Sequence, residues 1–362
     1  MKYNEIIKEL TKNIDTSLVN FDSERIHGSM PTQVSSEFLT NKEQGGWAEN
    51  TLLAGINNNS SKMIAVHYGR NDDINAGDDD FKEFFEEYQK ELDTIGKRPD
   101  ILIFDKADFP YETDDISCFS NDVLDALVPK AKCAIEVRSS AFLIDKYENY
   151  MNKKVEAAID SAMKSRSIIL NNYEELLLLK DPALFNIVQS ISLDNIHVIS
   201  FRVPSWRSSK ELKDLSDELK KLKSSINEIS KRTSLNITPK VEDLKVVYTW
   251  IQKYNVPHYY IQVFFDKAYG ISFEKILTLI GNPALEGKDY FIESDIKNQG
   301  KTTIKINAAN ESNVLDKIYL PEHYSEMKEL NRGRLLYYVK FKDSISIINK
   351  EEFEKLLGIS LV

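Results

Sequence analysis

The sequence predicts a mixed α/β fold, a central mixed sheet flanked by helices, with a largely helical insertion and a small C-terminal α+β subdomain. Three observations predict it. The runs Ile101 to Phe104, Ala134 to Val137 and Tyr259 to Phe265 are β-prone and apolar apart from Glu136 and Gln262, as in strands covered on both faces. Between them lie segments with apolar residues at helical spacing, and this alternation builds an α/β sheet. From Pro283 the texture shifts to short β-prone runs separated by Asn, Gly, Lys and Asp. The expected division is a main domain over 1–282, with its core in 40–145 and 235–282 and the insertion at 146–234. An accessory subdomain occupies 283–362.

In chain order, Ile6, Ile7, Leu10 and Ile14 share one face of a helix within residues 1–20. After a polar connection, Trp47, Leu52, Leu53 and Ile56 predict a helix from Gly46 to Ile56, with Glu49 near its buried side. Met63 to Tyr68 reads as a strand, Gly69 to Asp80 as an acidic loop, and Phe81 to Leu92 as a helix carrying Phe84, Phe85, Tyr88 and Leu92. Asp108 to Asp125 reads as an acidic loop between the two central strands. A helix is expected over Phe142 to Lys164, a strand over Asn195 to Val203, and a charged amphipathic helix over Glu211 to Lys231. Thr238-Pro239 starts the next helix, a capping residue before a first-turn proline. Val241, Leu244, Tyr248 and Ile251 continue it to Tyr254, and Val256-Pro257 ends it. Asp289 to Asn310 and Arg334 to Ile348 supply the C-terminal strands, and Lys350 to Leu357 the last helix.

With 362 residues, 42% of them hydrophobic and 29% charged, the chain suits a soluble globular protein with a substantial core. Met1 to Val19 lacks the apolar stretch of a signal peptide, and no apolar run is long enough for a bilayer, so no membrane partner is expected. Cys118 and Cys133 have no zinc-like spacing, which fits free thiols in a reducing cytoplasm. The net charge of -10 is unevenly spread. Asn71 to Asp93 holds ten acidic residues against two lysines, whereas Arg202 to Arg232 holds nine basic against five acidic. Charge therefore does not exclude a polyanionic partner. Trp206, Arg207 and Lys210 together suggest a region contacting phosphates and bases; a solvated helix with one buried Trp explains them equally well. A Gly-rich phosphate loop, a nucleophile elbow and a His-rich metal motif are all missing, which sets aside the enzyme classes they mark.

Chemistry concentrates on two acids. Asp100 sits at the mouth of one central strand, after Pro99, and Glu136 interrupts the apolar run of the other. A carboxylate in such a place is costly to desolvate without a compensating charge. Two of them on adjacent strands repel each other, and a hard divalent cation is the usual remedy.

Pro99-Asp100 followed by Glu136-Val137-Arg138 resembles the PD-(D/E)xK nuclease superfamily, with Arg138 where that pattern has lysine. Gly46-Trp47-Ala48-Glu49, Gly96-Lys97-Arg98-Pro99-Asp100, Glu136 to Ser140, Val203 to Arg207 and Tyr259 to Asp266 together look like type II restriction endonucleases, in particular the AccI family. The resemblance spans roughly residues 40–280. It implies a restriction-endonuclease-like core that cuts both strands of double-stranded DNA at a short, near-palindromic site. It also implies Mg²⁺, with Mn²⁺ able to substitute, held by Asp100, Glu136 and the Val137 carbonyl. Glu49 would be an additional acid beside the metal. Arg138 is too basic to deprotonate a water but can donate to the scissile phosphate, and Lys240 is the candidate for a displaced lysine. Ser139 and Ser140 would touch phosphate, and Lys97 and Arg98 would screen the site. A homodimer and a cognate DNA methyltransferase acting on the same site complete the implied partners. A structure-selective repair nuclease of the same superfamily, or a DNA-binding protein whose nuclease core has lapsed, are the alternatives.

Overall fold

A computed structural model describes residues 2–70, 74–231, 233–295, 301–330, 333–342 and 345–361. The chain opens with α1 (Tyr3–Thr11), α2 (Ser36–Asn59), β1 (Met63–His67), α3 (Phe81–Thr94), β2 (Ile101–Asp105), α4 (Asn121–Leu127) and β3 (Cys133–Ser140). Three helices follow, α5 (Ile144–Lys180), α6 (Pro182–Ser190) and α7 (Lys210–Ile229). Then come β4 (Asn236–Ile237), α8 (Val241–Tyr254), β5 (His258–Phe264), β6 (Lys267–Ser272), α9 (Phe273–Ile280), β7 (Tyr290–Asp295) and β8 (Lys301–Asn307). The chain closes with α10 (Ala308–Glu311), β9 (Asn313–Ile318), β10 (Glu322–Leu330), β11 (Arg334–Lys342), β12 (Ser346–Ile348) and α11 (Lys350–Leu357). By contact density the chain falls into two units, residues 1–144 with 236–362, and residues 145–235.

In the first unit a seven-stranded mixed sheet runs β1-β2-β3-β5-β6-β9-β12. Among the described residues, β3 and β5 are the parallel neighbours in it. Ile101, Leu102, Ile103 and Phe104 of β2 are all fully buried, because a strand with neighbours on both edges and cover on both faces has no solvent side. Trp47, Ala48, Leu52, Leu53 and Ile56 of α2 pack with Ile101, Ile103, Ile135, Val137, Ile261 and Val263 of the sheet. The C-terminal residues carry the α+β texture read from the sequence, and two of their strands, β9 and β12, extend the main sheet. Phe353 and Leu357 of α11 join its core.

α2 begins ten residues before the expected Gly46 and runs through Gly45 and Gly46. A mid-helix glycine costs roughly 1 kcal/mol against alanine. Here the cap and packing outweigh it: the Ser35 hydroxyl accepts from the Phe38 amide at 3.1 Å, and Leu39 packs with Val34 and Leu336. The expected loop over Asp108 to Asp125 ends in α4, which buries Leu124 and Leu127.

The second unit is helical among its described residues. Ile169, Leu177, Phe185, Val188, Leu215, Leu219 and Leu222 form its core. The strand expected over Asn195 to Val203 is absent: the segment is turn and irregular backbone. Its β-like alternation has another origin. Ile196 and Phe201 are buried in the helical core while Val198 is exposed, and no strand of this unit is there to complete a ladder. α5 continues to Lys180, sixteen residues past the expected end. Among the described residues no helix is long and apolar enough to cross a membrane, and both cysteines are free thiols.

Candidate active site

Strand register brings Asp100 and Glu136 together. Antiparallel β2 and β3 pair Ile101 with Ile135, which carries Asp100, one residue upstream, to the level of Glu136, one residue downstream. Asp100 is anchored at both ends. Its Oδ2 accepts from the Val137 amide at 2.6 Å, and its carbonyl accepts from the amides of Tyr68, at 2.9 Å, and Gly69, at 3.2 Å. A side chain on Gly69 would press on it, since a Cβ there would stand 3.3 Å from the Asp100 Cα.

Two cations sit on Glu136. The Lys97 ammonium contacts Glu136 Oε1, and Arg138 Nη2 reaches the same oxygen at 3.0 Å. A third acid, Asp243, lies in the first turn of α8: Arg138 Nη2 also contacts its Oδ2, and Lys97 Nζ stands 3.9 Å from it. Gly96 makes this approach possible. Its φ is +83°, and a Cβ there would fall 2.1 Å from the Val246 carbonyl oxygen and 2.6 Å from the Trp250 nitrogen, both on α8. The next amide, that of Lys97, donates to the same Val246 carbonyl at 3.0 Å.

The charges do not balance, with Asp100, Glu136 and Asp243 facing Lys97 and Arg138. Burial and then the Glu136 carboxylate push Asp100 up to about 7, against the pull of Lys97 and the Val137 amide. Burial also opposes ionisation of Asp243, but Lys97, Arg138 and Lys240 overcome it and hold this carboxyl below its ordinary value. Lys97 and Arg138 are pulled down by burial and pushed up more strongly by Glu136 and Asp243, so both stay charged. Glu136 is 1% exposed, and its Oε2 has no hydrogen-bond partner among the described residues.

Asp100, Lys97 and Arg138 open onto a cavity of about 1000 Å³. Glu49 and His67 line it too, with Phe81, Phe84, Phe85 and Tyr88 of α3. Glu49 Oε2 is 4.0 Å from His67 Nδ1, and burial lowers the His67 pKa despite the opposing pull of Asp115 and Asp114. Among the described residues no group of three or more His, Cys, Asp or Glu side chains is placed to hold a metal. A cation here would rest on two side chains and a backbone carbonyl. Asp100, Glu136 and Val137 fit such a group: all supply oxygen, Glu136 Oε2 is buried with no hydrogen-bond partner among the described residues, and with Asp243 the acids outnumber Lys97 and Arg138.

The other expected site residues are placed as follows. Lys240 occupies the capping position of α8 and is not among the residues lining the cavity; its charge acts on Asp243. Arg98, 9% exposed, donates from Nη2 to Glu91 Oε2 at 2.9 Å and lies over the Tyr68 ring, so it braces α3 against the sheet. With the Gln44 carboxamide turned to satisfy its neighbours, its oxygen accepts from Ser139 Oγ at 3.2 Å and from the Ser140 amide at 3.1 Å. Trp206, Arg207 and Lys210 belong to the helical unit. Trp206 is half-buried against that unit's core, and Arg207 and Lys210 are exposed.

Asp243 escaped the sequence reading because an acid in the first turn of a helix is ordinary there, favoured by the helix dipole. One signal was available: Asp243 lies three residues after the capping position, on the helix that precedes strand β5, the neighbour of β3.

Two acids thus stand at matched register on adjacent strands of a mixed sheet, with two cations beside them and an open cavity alongside. The AccI restriction endonuclease family matches residues 1–361, and the chain belongs to that family. It is a type II restriction endonuclease, a site-specific deoxyribonuclease acting on double-stranded DNA. No curated protein and no solved structure matches the chain.

Proposed function

We propose that the enzyme hydrolyses both strands of a short, near-palindromic DNA site with Mg²⁺ bound by Asp100, Glu136 and the Val137 carbonyl, Mn²⁺ being able to replace it. The observation that carries this reading is the buried Glu136 Oε2, without a hydrogen-bond partner among the described residues, beside Asp100, where three acids counting Asp243 face only Lys97 and Arg138. A divalent ion held there supplies a more acidic water and positive charge against the phosphate, which so slow a hydrolysis requires. The chain's own groups do the rest. Asp100 and Glu136 offer carboxylate oxygens at fixed register, and the Val137 amide holds Asp100 from turning away. Arg138, charged at every working pH, faces the cavity and can donate to a phosphate oxygen. Glu49, on the same wall, is a further acid for the site.

Two-fold symmetry of the target calls for two-fold symmetry of the protein, so the working form is a homodimer, and a methyltransferase modifying the same bases protects the host's own DNA. The test is incubation of the purified protein with phage DNA, with Mg²⁺, with Mn²⁺ and with EDTA. Discrete fragments with either metal and none with EDTA are expected, and sequencing their ends gives the site. Cutting in EDTA, or cutting governed by DNA structure instead of sequence, would overturn the reading.

A further inference from the structure

Resting on that reading, we propose that Lys97 is the catalytic lysine of this enzyme, delivered to Glu136 from the turn ahead of Asp100, with Asp243 as the residue that positions it. The nuclease pattern places a lysine two residues after the strand glutamate, and here that position holds Arg138. What the chemistry needs is an ammonium group at the glutamate and facing the substrate, whatever its place in the sequence.

Lys97 meets that requirement. Its Nζ contacts Glu136 Oε1, leaving Oε2 as the unpartnered oxygen, and the side chain lines the cavity that Asp100 also lines. An ammonium group has three donors in rotatable directions. One is used on Glu136 and Asp243 lies at 3.9 Å, beyond hydrogen-bond reach, so donors remain for the attacking water or a phosphate oxygen. Arg138 is tied to both acids through a single nitrogen, its Nη2 contacting Glu136 Oε1 and Asp243 Oδ2, and its guanidinium is too basic to take up and release a proton as a lysine can. Lys240 lacks the placement, being off the cavity wall.

The backbone makes the delivery specific. Gly96, at positive φ, lies against the Val246 carbonyl and Trp250 nitrogen of α8, and the Lys97 amide donates to that same carbonyl. Val246 stands one turn beyond Asp243. The contact that pins the root of Lys97 therefore belongs to the helix that presents Asp243 to its tip. Asp243 acts through Lys97 and Arg138, and is a positioning residue.

The experiment is single-turnover cleavage of plasmid DNA by the full-length Lys97→Met, Lys97→Arg, Asp243→Asn and double Lys97→Met/Asp243→Asn variants, with DNA affinity measured in Ca²⁺. Lys97→Met is expected to slow cleavage by about 100-fold or more with DNA affinity held within about threefold. Lys97→Arg should recover part of the rate, since it restores the charge, and added methylammonium should speed Lys97→Met but not the wild type. Asp243→Asn should slow cleavage by roughly tenfold in the wild-type background and far less when Lys97 is already Met, the non-additivity expected of residues acting as a unit. Should Lys97→Met lose its fold, the Arg variant and the methylammonium response of Lys97→Ala decide in its place. Cleavage by Lys97→Met at the wild-type rate would overturn the proposal, as would loss of cleavage in Lys240→Ala alone. Wild-type cutting in EDTA sinks the two-acid cation reading instead, so the two failures are told apart.

Discussion

The Val137 amide donates to Asp100 Oδ2 at 2.6 Å, tying one strand's acid to the backbone of the next. That bond holds the carboxyl where burial and Glu136 disfavour its charge, and its pKa rises to about 7. A carboxyl raised in the fold binds its proton more tightly than in the unfolded chain. Asp100's own contribution to metal-free stability therefore falls as pH rises from about 4 to about 7 and stays lower above, opposite in sign to that of His258 over the same range. Asp100→Asn removes the buried charge and keeps an acceptor for Val137. Without metal it should melt about 2–5 °C above the wild type at pH 8, with the difference vanishing near pH 4. In Mg²⁺ the wild type should gain stability, the variant should not, and cleavage by the variant should be lost. Calorimetry with and without Mg²⁺ reads all three.

Gly69 and Gly96 should respond differently to alanine. At Gly96 the added carbon meets helix backbone at 2.1 Å under a φ of +83°, and Gly96→Ala should cost on the order of 3 kcal/mol or more, read by urea unfolding. At Gly69 it meets the Asp100 Cα at 3.3 Å, a contact relieved by a few tenths of an ångström. Gly69→Ala should fold with little loss of stability, yet cleave roughly tenfold more slowly because Asp100 is displaced. Equal effects on unfolding would refute this contrast.

His258, fully buried, stands among Trp250, Tyr260 and Phe273 with both ring nitrogens unpartnered among the described residues. Burial drops its pKa to about 3. A histidine depressed in the fold is protonated first in the unfolded chain, so the contribution of His258 to stability is lost as pH falls below about 6.5. Between pH 7 and pH 5 the loss is on the order of 2 kcal/mol. His258→Phe should flatten that slope; an unchanged slope would place the acid sensitivity elsewhere.

Arg207 and Lys210 offer a test of the helical unit. If both neutralise DNA phosphates, the double alanine variant should weaken binding at low salt and reduce the slope of log affinity against log salt by about 2. A filter-binding series across salt concentrations measures it, and an unchanged slope would remove this unit's exposed loop from the DNA contact.

Much of the core and part of the site were legible in the chain. Ile101 to Phe104 and Ala134 to Val137 were readable because a doubly covered strand is apolar throughout, and that same uniformity made Glu136 conspicuous. Lys350 to Leu357 matched its helix because its pattern is local. Asn195 to Val203 misled because its β-prone residues are spaced like a strand while only Ile196 and Phe201 enter the core, and a strand exists only if another chain segment offers its hydrogen bonds. Gly45 and Gly46 hid the start of α2, since packing around Leu39 outweighs their propensity.

Residue by residue, the sequence determined which charged groups stand at the central strands, the acids at 100 and 136 and the arginine at 138, and the apolar runs that hold them. Which cation sits on Glu136 was decided only in three dimensions. Lys97 and Asp243 lie far apart in the chain, and they are brought together beside Glu136 by a glycine at positive φ packed against a helix. No local pattern encodes that meeting, because its energy comes from partners that folding alone brings together.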